Sequence, residues 1–149
     1  AAGRCSFTPQ CEWTTCGNDI TPSGVGPDAS GFLKQLLDLT ETELCVDVTR
    51  EYATGESNGG MATYQVGASM SGRLAAIAPV AGSFHRGFGQ VPTMPMPVMD
   101  IHGRSDRTVP ANDTLASNGW FYVVTADILQ GWATANGCSA VKSARRAFP

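Results

Sequence analysis

Charge is scarce in this 149-residue chain: 15% of its residues are Asp, Glu, Lys or Arg, the net charge is −3, and there is no basic run. Electrostatic attraction to nucleic acid or to an anionic membrane surface is therefore not indicated. No stretch approaches the roughly 20 apolar residues of a membrane span. Histidine is nearly missing, with His85 and His102 alone, and no C-x-x-C pair accompanies them, so no metal centre and no cofactor are expected. There is no internal repeat and no low-complexity tract. The opening Ala1-Ala2-Gly3-Arg4 has neither an initiator Met nor an apolar signal core, which reads as a processed product or a piece of something longer.

What is there suits one globular domain, with 42% hydrophobic residues. Residues 1–27 form a Cys/Gly/Pro-rich loop region, 28–138 a core, and 139–149 a tail of different character. Five cysteines sit at positions 5, 11, 16, 45 and 138. Spacings of this kind favour disulfides in an oxidising compartment, hence a secreted protein. The odd count leaves at least one thiol without a partner in the chain. Cys16 and Cys45 are expected to lie close, because the loop before the first helix and the chain after it both approach the same strand start; a bridge needs their Cα atoms within about 7 Å. Asn112-Asp113-Thr114 is an N-glycosylation sequon.

A helix is expected to start near Asp28 or Ser30, with Phe32, Leu33, Leu36, Leu37 and Leu44 as its apolar stripe packed on a sheet. Val46 to Thr54 leads into a strand whose end reads as Tyr52-Ala53-Thr54. Ala75 to Ala81 is a small apolar run of the kind buried on both faces, with Pro79 expected to bend or end it. Residues 83–97 read as a loop, and Val98 to Ile101 as a short strand. Thr125 is expected to cap a helix carrying Ile128, Leu129, Trp132 and Ala133, stopped at Asn136-Gly137. Alternating strands and helices imply an α/β fold with a mostly parallel sheet, whose sites lie at the strands' carboxyl ends.

Between the first strand and its helix stands Gly55-Glu56-Ser57-Asn58-Gly59, a match to the G-x-S-x-G nucleophile elbow. That turn exposes a strained serine, and the backbone N–H of the following residue, here Asn58, can face a developing oxyanion. A side chain at either glycine is expected to collide where strand and helix approach. A serine nucleophile needs a base and a carboxylate that orients it. Asp106, just after the third strand, is the favoured carboxylate over Asp100 and Asp113. No histidine follows Asp106. His102 reads as a turn-stabilising residue and His85 as a surface or loop residue, and either as base would break the Ser, Asp, His order.

The string Tyr52 to Met61, the run Ala75 to Ser83 and the segment His102 to Pro110 together resemble the secreted feruloyl esterase and polyhydroxybutyrate depolymerase-like esterases. Asp28 to Leu37, Gly119-Trp120 and Trp132 to Cys138 fit the same family. The resemblance covers most of residues 13–138. It implies a partial α/β-hydrolase domain, Ser57 as nucleophile, Asp106 as triad acid and the Asn58 N–H as one oxyanion donor. It further implies a carboxylic ester hydrolase working through an acyl-serine, on plant cell-wall polysaccharide esters or on polyesters, with no nucleic acid or membrane partner. The family's early strands and its histidine fall outside this chain, and its partner for Cys138 lies further on. The competing readings are an inactive relative that binds or supports, and a serine peptidase on the same fold.

Overall fold

The computed structural model describes residues 29–112, 116 and 119–139. Five elements follow in order: helix α1 (Ala29–Glu43), strand β1 (Tyr52–Glu56), helix α2 (Asn58–Ser69), strand β2 (Ala76–Val80) and helix α3 (Thr125–Ala135). The helix–strand alternation bears out an α/β architecture with a small parallel sheet. Asp28 and the cysteine-rich segment 1–27 lie outside the described residues, as does 140–149.

β1 and β2 run parallel, in register from Tyr52 opposite Ala76 to Glu56 opposite Val80. Segment 97–101 extends the sheet on the other side of β2 through parallel bridges between Ile77 and Val98 and between Val80 and Ile101. Pro79 explains why these remain isolated bridges. Ile77 N–H donates to the Pro97 carbonyl and Ala81 N–H to the Ile101 carbonyl, at 3.0 and 2.8 Å. The rung between them would come from residue 79, and proline has no N–H to give. So Pro79 neither bends nor ends β2. It sits fully buried inside the strand, opposite Gly55, and leaves one gap in the ladder.

Residues 44–51 are not a strand. Asp47 Oδ1 accepts from Thr49 N–H and Oγ at 3.0 and 2.6 Å, and Arg50 N–H closes back on the Asp47 carbonyl. This Asx turn takes the backbone that the Val46 and Val48 pattern would have paired.

The core lies on one face of the sheet. Tyr64, Val66 and Ala68 of α2, Ile128 and Trp132 of α3, Ile77, Phe84, Leu74 and Met96 form one buried cluster. Tyr64 meets Trp132 edge-on at 5.7 Å between ring centroids. Gly67 sits where these elements converge, and a Cβ there would lie 2.7 Å from Ile77 Cδ1. Of the expected α1 stripe, Leu33 and Leu37 pack on this cluster, while Phe32, Leu36 and Leu44 stay exposed. Arg73 clamps α1 from below, reaching Asp38 at 2.7 Å and Glu41 at 2.6 Å. The opposite sheet face is open: Tyr52, Met99 and Ile101 are 63%, 60% and 47% exposed.

α3 begins one residue earlier than expected, at Thr125 itself. Val124 takes the capping position and Thr125 is already helical, its buried hydroxyl without a hydrogen bond. Its end follows expectation. Gly137 has φ 68°, Gly137 N–H bonds to Thr134 and Cys138 N–H to Ala133, the double closure of a Schellman motif. The Asn136 side chain does more than end the helix. Its amide grips both backbone groups of Met96, at 2.9 and 2.8 Å, and so fastens the loop 83–97 to α3.

Candidate active site

The serine turn is built from close backbone contact. At Gly55 an added Cβ would stand 2.5 Å from the Gly59 carbonyl oxygen, so only glycine lets β1 pass this near to α2. Gly59 itself has nothing within 4 Å of a Cβ, contrary to the expectation of a collision there. The second tight approach is Gly60 against Gly82, where a Cβ on Gly82 would lie 2.4 Å from the Gly60 carbonyl carbon.

Between these contacts Ser57 adopts φ 56° and ψ −117°. A non-glycine residue in this region carries strain of order 1–3 kcal/mol, held in place by its surroundings. Two backbone bonds hold it: Ser57 N–H donates to the Val80 carbonyl at 2.9 Å, and the Ser57 carbonyl accepts from Met61 N–H at 3.0 Å. Ser57 thus occupies the N-cap of α2, yet its side chain makes no capping bond and the residue is exposed. A serine at this position ordinarily spends its hydroxyl on the helix. Here the hydroxyl is left for other work. Asn58 follows as the first helical residue, whose N–H has no intrahelical acceptor.

Ser57 and the Asp106 loop stand on the same edge of the sheet. Ser57 follows β1, Ala81 follows β2 with φ 47°, and His102 follows segment 97–101. The three residues step across the carboxyl ends through the Ser57–Val80 and Ala81–Ile101 bonds. Asp106 Oδ1 accepts from Thr108 N–H at 2.8 Å and Val109 N–H at 3.0 Å, which fixes the carboxylate. Asp100, its competitor, is spent elsewhere: it points into the core and accepts a 2.7 Å bond from the Tyr64 hydroxyl. Burial and this carboxylate raise the Tyr64 phenol well above its ordinary range. Asp113 lies outside the described residues.

Neither histidine bonds to Ser57. His102 is 5% exposed in its side chain and its Nε2 stands 2.7 Å from the Val109 carbonyl, with Asp106 Oδ2 at 3.9 Å. His85 is a correction to the sequence reading. It is not a surface residue but 5% exposed, stacked on Tyr122 and tilted against Trp120, at 4.9 and 4.6 Å between ring centroids. Both its ring nitrogens lack partners, and burial lowers its pKa to about 4. Cys45 and Cys138 are exposed free thiols. Cys45 therefore carries no bridge here, and Cys16 lies outside the described residues. Asn112 is exposed. No group of metal ligands occurs among the described residues.

A groove of 410 Å³ runs between α1, β1 and α2, lined by Leu33, Leu36, Leu37, Tyr52 and Val66 with Asn58 at its polar end. Sequence reading missed this groove and the Tyr64–Asp100–His102 set. The latter had a signal, since Asp100 and His102 are two apart at the end of segment 97–101, the spacing that shares a face in extended chain.

No protein-family profile matches the chain. It is 31% identical over 81 residues to a bifunctional acetylxylan esterase/xylanase of Neocallimastix patriciarum, covering 54% of this chain and 12% of that protein. It is 26% identical over 129 residues to feruloyl esterase B of Piromyces equi, covering 81% of this chain and 24% of that one. The chain thus spans about an eighth and a quarter of these relatives. Its similarity is to fungal carboxylic ester hydrolases, distant and partial.

Proposed function

We propose that this chain carries the nucleophile turn of a secreted serine carboxylic ester hydrolase built on an α/β-hydrolase domain. The observation that carries the reading is Ser57 itself: an exposed serine at φ 56°, between a strand end and a helix start, with its hydroxyl released from capping. In this reading Ser57 Oγ attacks the ester carbonyl and the C–O bond to the alcohol breaks. The base takes the Ser57 hydroxyl proton and hands it to the departing alkoxide, leaving an acyl-serine that water then cleaves. The Asn58 N–H lies at the positive end of α2 and meets the oxyanion. Asp106 offers its second oxygen to the imidazolium of the base. The partial similarity to an acetylxylan esterase and a feruloyl esterase favours acyl groups on plant cell-wall polysaccharide over polyesters.

One observation favours the inactive relative that binds or supports. Among the described residues no imidazole is bonded to Ser57, because His102 is committed to Val109 and His85 is sealed between aromatic rings. Residues 1–149 by themselves are expected to be nearly inert, so this chain, extended through the segments in which the family carries its early strands and histidine, is to be incubated with an aryl acetate and with methyl ferulate, quenched, and digested for mass spectrometry. The expected result is an acyl adduct on the Ser57 peptide and loss of hydrolysis in Ser57→Ala. Undiminished hydrolysis by Ser57→Ala would remove Ser57 from the chemistry. A folded, extended protein that neither turns over nor acylates is the inactive relative.

A further inference from the structure

We propose that His102 is a positioning residue that holds the Asp106 carboxylate in place, rather than a base for Ser57. The proposal rests on the reading of Asp106 as the acid that orients the base. A carbonyl oxygen can only accept, so the 2.7 Å contact to Val109 requires the proton on His102 Nε2. The other ring nitrogen is Nδ1. That atom is buried without a hydrogen bond, 3.7 Å from Asp100 Oδ1, and so faces the core instead of the sheet's open edge. Asp100 is in turn fixed by the Tyr64 hydroxyl.

The loop 103–109 is thereby closed at both ends on one side chain. It leaves the sheet at His102 and returns at Val109, whose carbonyl is tied to the His102 ring and whose N–H is tied to Asp106 Oδ1. Asp106 N–H turns back on the Gly103 carbonyl at 3.1 Å. Val109 is 2% exposed and packs with Met61 in the first turn of α2, so the loop's return point and the serine helix share one apolar cluster. His102 supplies the polar half of that attachment. Without it, the two amides that fix Asp106 Oδ1 are free to swing, and the direction of Oδ2 is lost.

The amide nitrogen of a glutamine reaches about as far as Nε2 and can donate to the same carbonyl, whereas phenylalanine fills the site and donates nothing. In His102→Phe, the amide protons of Thr108 and Val109 are expected to lose hydrogen-exchange protection while those of β1 keep theirs. In the extended protein that carries the base, kcat is expected to fall on the order of 100-fold with KM little changed, as for a displaced catalytic group. His102→Gln is expected to restore protection and to recover kcat to within about tenfold. Long-range proton–nitrogen spectra of the wild type should show the His102 proton on Nε2. A glutamine variant as damaged as the phenylalanine one, or a proton on Nδ1 alone, would overturn the assignment. So would full turnover in His102→Phe beside a crippled Asp106→Ala. If instead Asp106→Ala and His102→Phe both turn over normally while the amides loosen, the anchor stands and the reading of Asp106 as triad acid fails.

Discussion

Ser57 keeps its strained backbone between two close backbone approaches, Gly55 against Gly59 and Gly60 against Gly82. Gly55 and Gly59 look equivalent in the pentapeptide, but the structure gives them opposite tolerances. Gly55→Ala drives a Cβ to 2.5 Å from a backbone oxygen that cannot move without dismantling α2's first turn. A destabilisation of about 2–3 kcal/mol is expected, as for overpacking against rigid neighbours. Gly59→Ala meets open space inside a helix and is expected to stabilise by about 0.5–1 kcal/mol. Denaturant unfolding of the two variants decides the point; equal effects would mean that the turn is not set by this contact. His85 gives a second residue-scale prediction. Its pKa is about 4 in the folded state against an ordinary 6.5, so the unfolded chain takes up the proton first as pH falls. Stability from this group is complete above about pH 6.5 and declines toward pH 4, by on the order of 2–3 kcal/mol. In His85→Phe that part of the slope is expected to vanish, leaving the carboxylate contribution alone. An unchanged pH profile of unfolding would show that His85 is already open to solvent.

Among the elements, α3 is the one whose removal would reach furthest. The residue that caps its end, Asn136, pairs with both backbone groups of a Met96 that is 0% exposed. Asn136→Ala leaves a buried N–H and C=O unpaired, and a loss of about 2–4 kcal/mol is expected from two such groups. Thermal unfolding measures it; a loss below 1 kcal/mol would mean water replaces the amide. The helix end was legible in the sequence because Asn-Gly is a local signal, and so was the serine turn, whose geometry lies within five residues. Other features depended on partners distant in sequence. Pro79 looked like a strand breaker because its missing N–H was judged without knowing that the rung it forfeits runs to one neighbour while β1 pairs on the other side. His85 looked like a surface residue because Trp120 and Tyr122, which bury it, come 35 and 37 positions later. That the approach from Val46 turns before β1 begins was readable locally, since Asp-x-Thr competes for the backbone through an Asx turn.

At the scale of the molecule, the sheet is covered unequally. Ala53, Ile77 and Val98 turn toward the cluster centred on α2, while Tyr52, Met99 and Ile101 on the other face meet solvent. Parallel sheets are ordinarily covered on both faces. Copies of residues 1–149 are therefore expected to associate as concentration rises, and Met99→Lys or Ile101→Lys to suppress it without lowering stability. Sedimentation velocity at rising concentration tests this. A wild type that stays monomeric at high concentration would show that another part of the chain covers the face.

The gap left by Pro79 bears on the order in which this structure assembles. β1, α2 and β2 form one uninterrupted stretch of 29 residues with a complete parallel register, closed over short separations. Segment 97–101 joins later in sequence, across a seam missing one rung. The two pairings close over similar separations, 24 residues between Tyr52 and Ala76 and 21 between Ile77 and Val98, so the complete ladder on the β1 side, and not loop length, favours that pairing first. The serine turn then belongs to the earliest structure formed, and the Asp106 loop docks onto it afterwards. The two halves of the proposed site would be made at different moments of folding, and the second would be the first to come away.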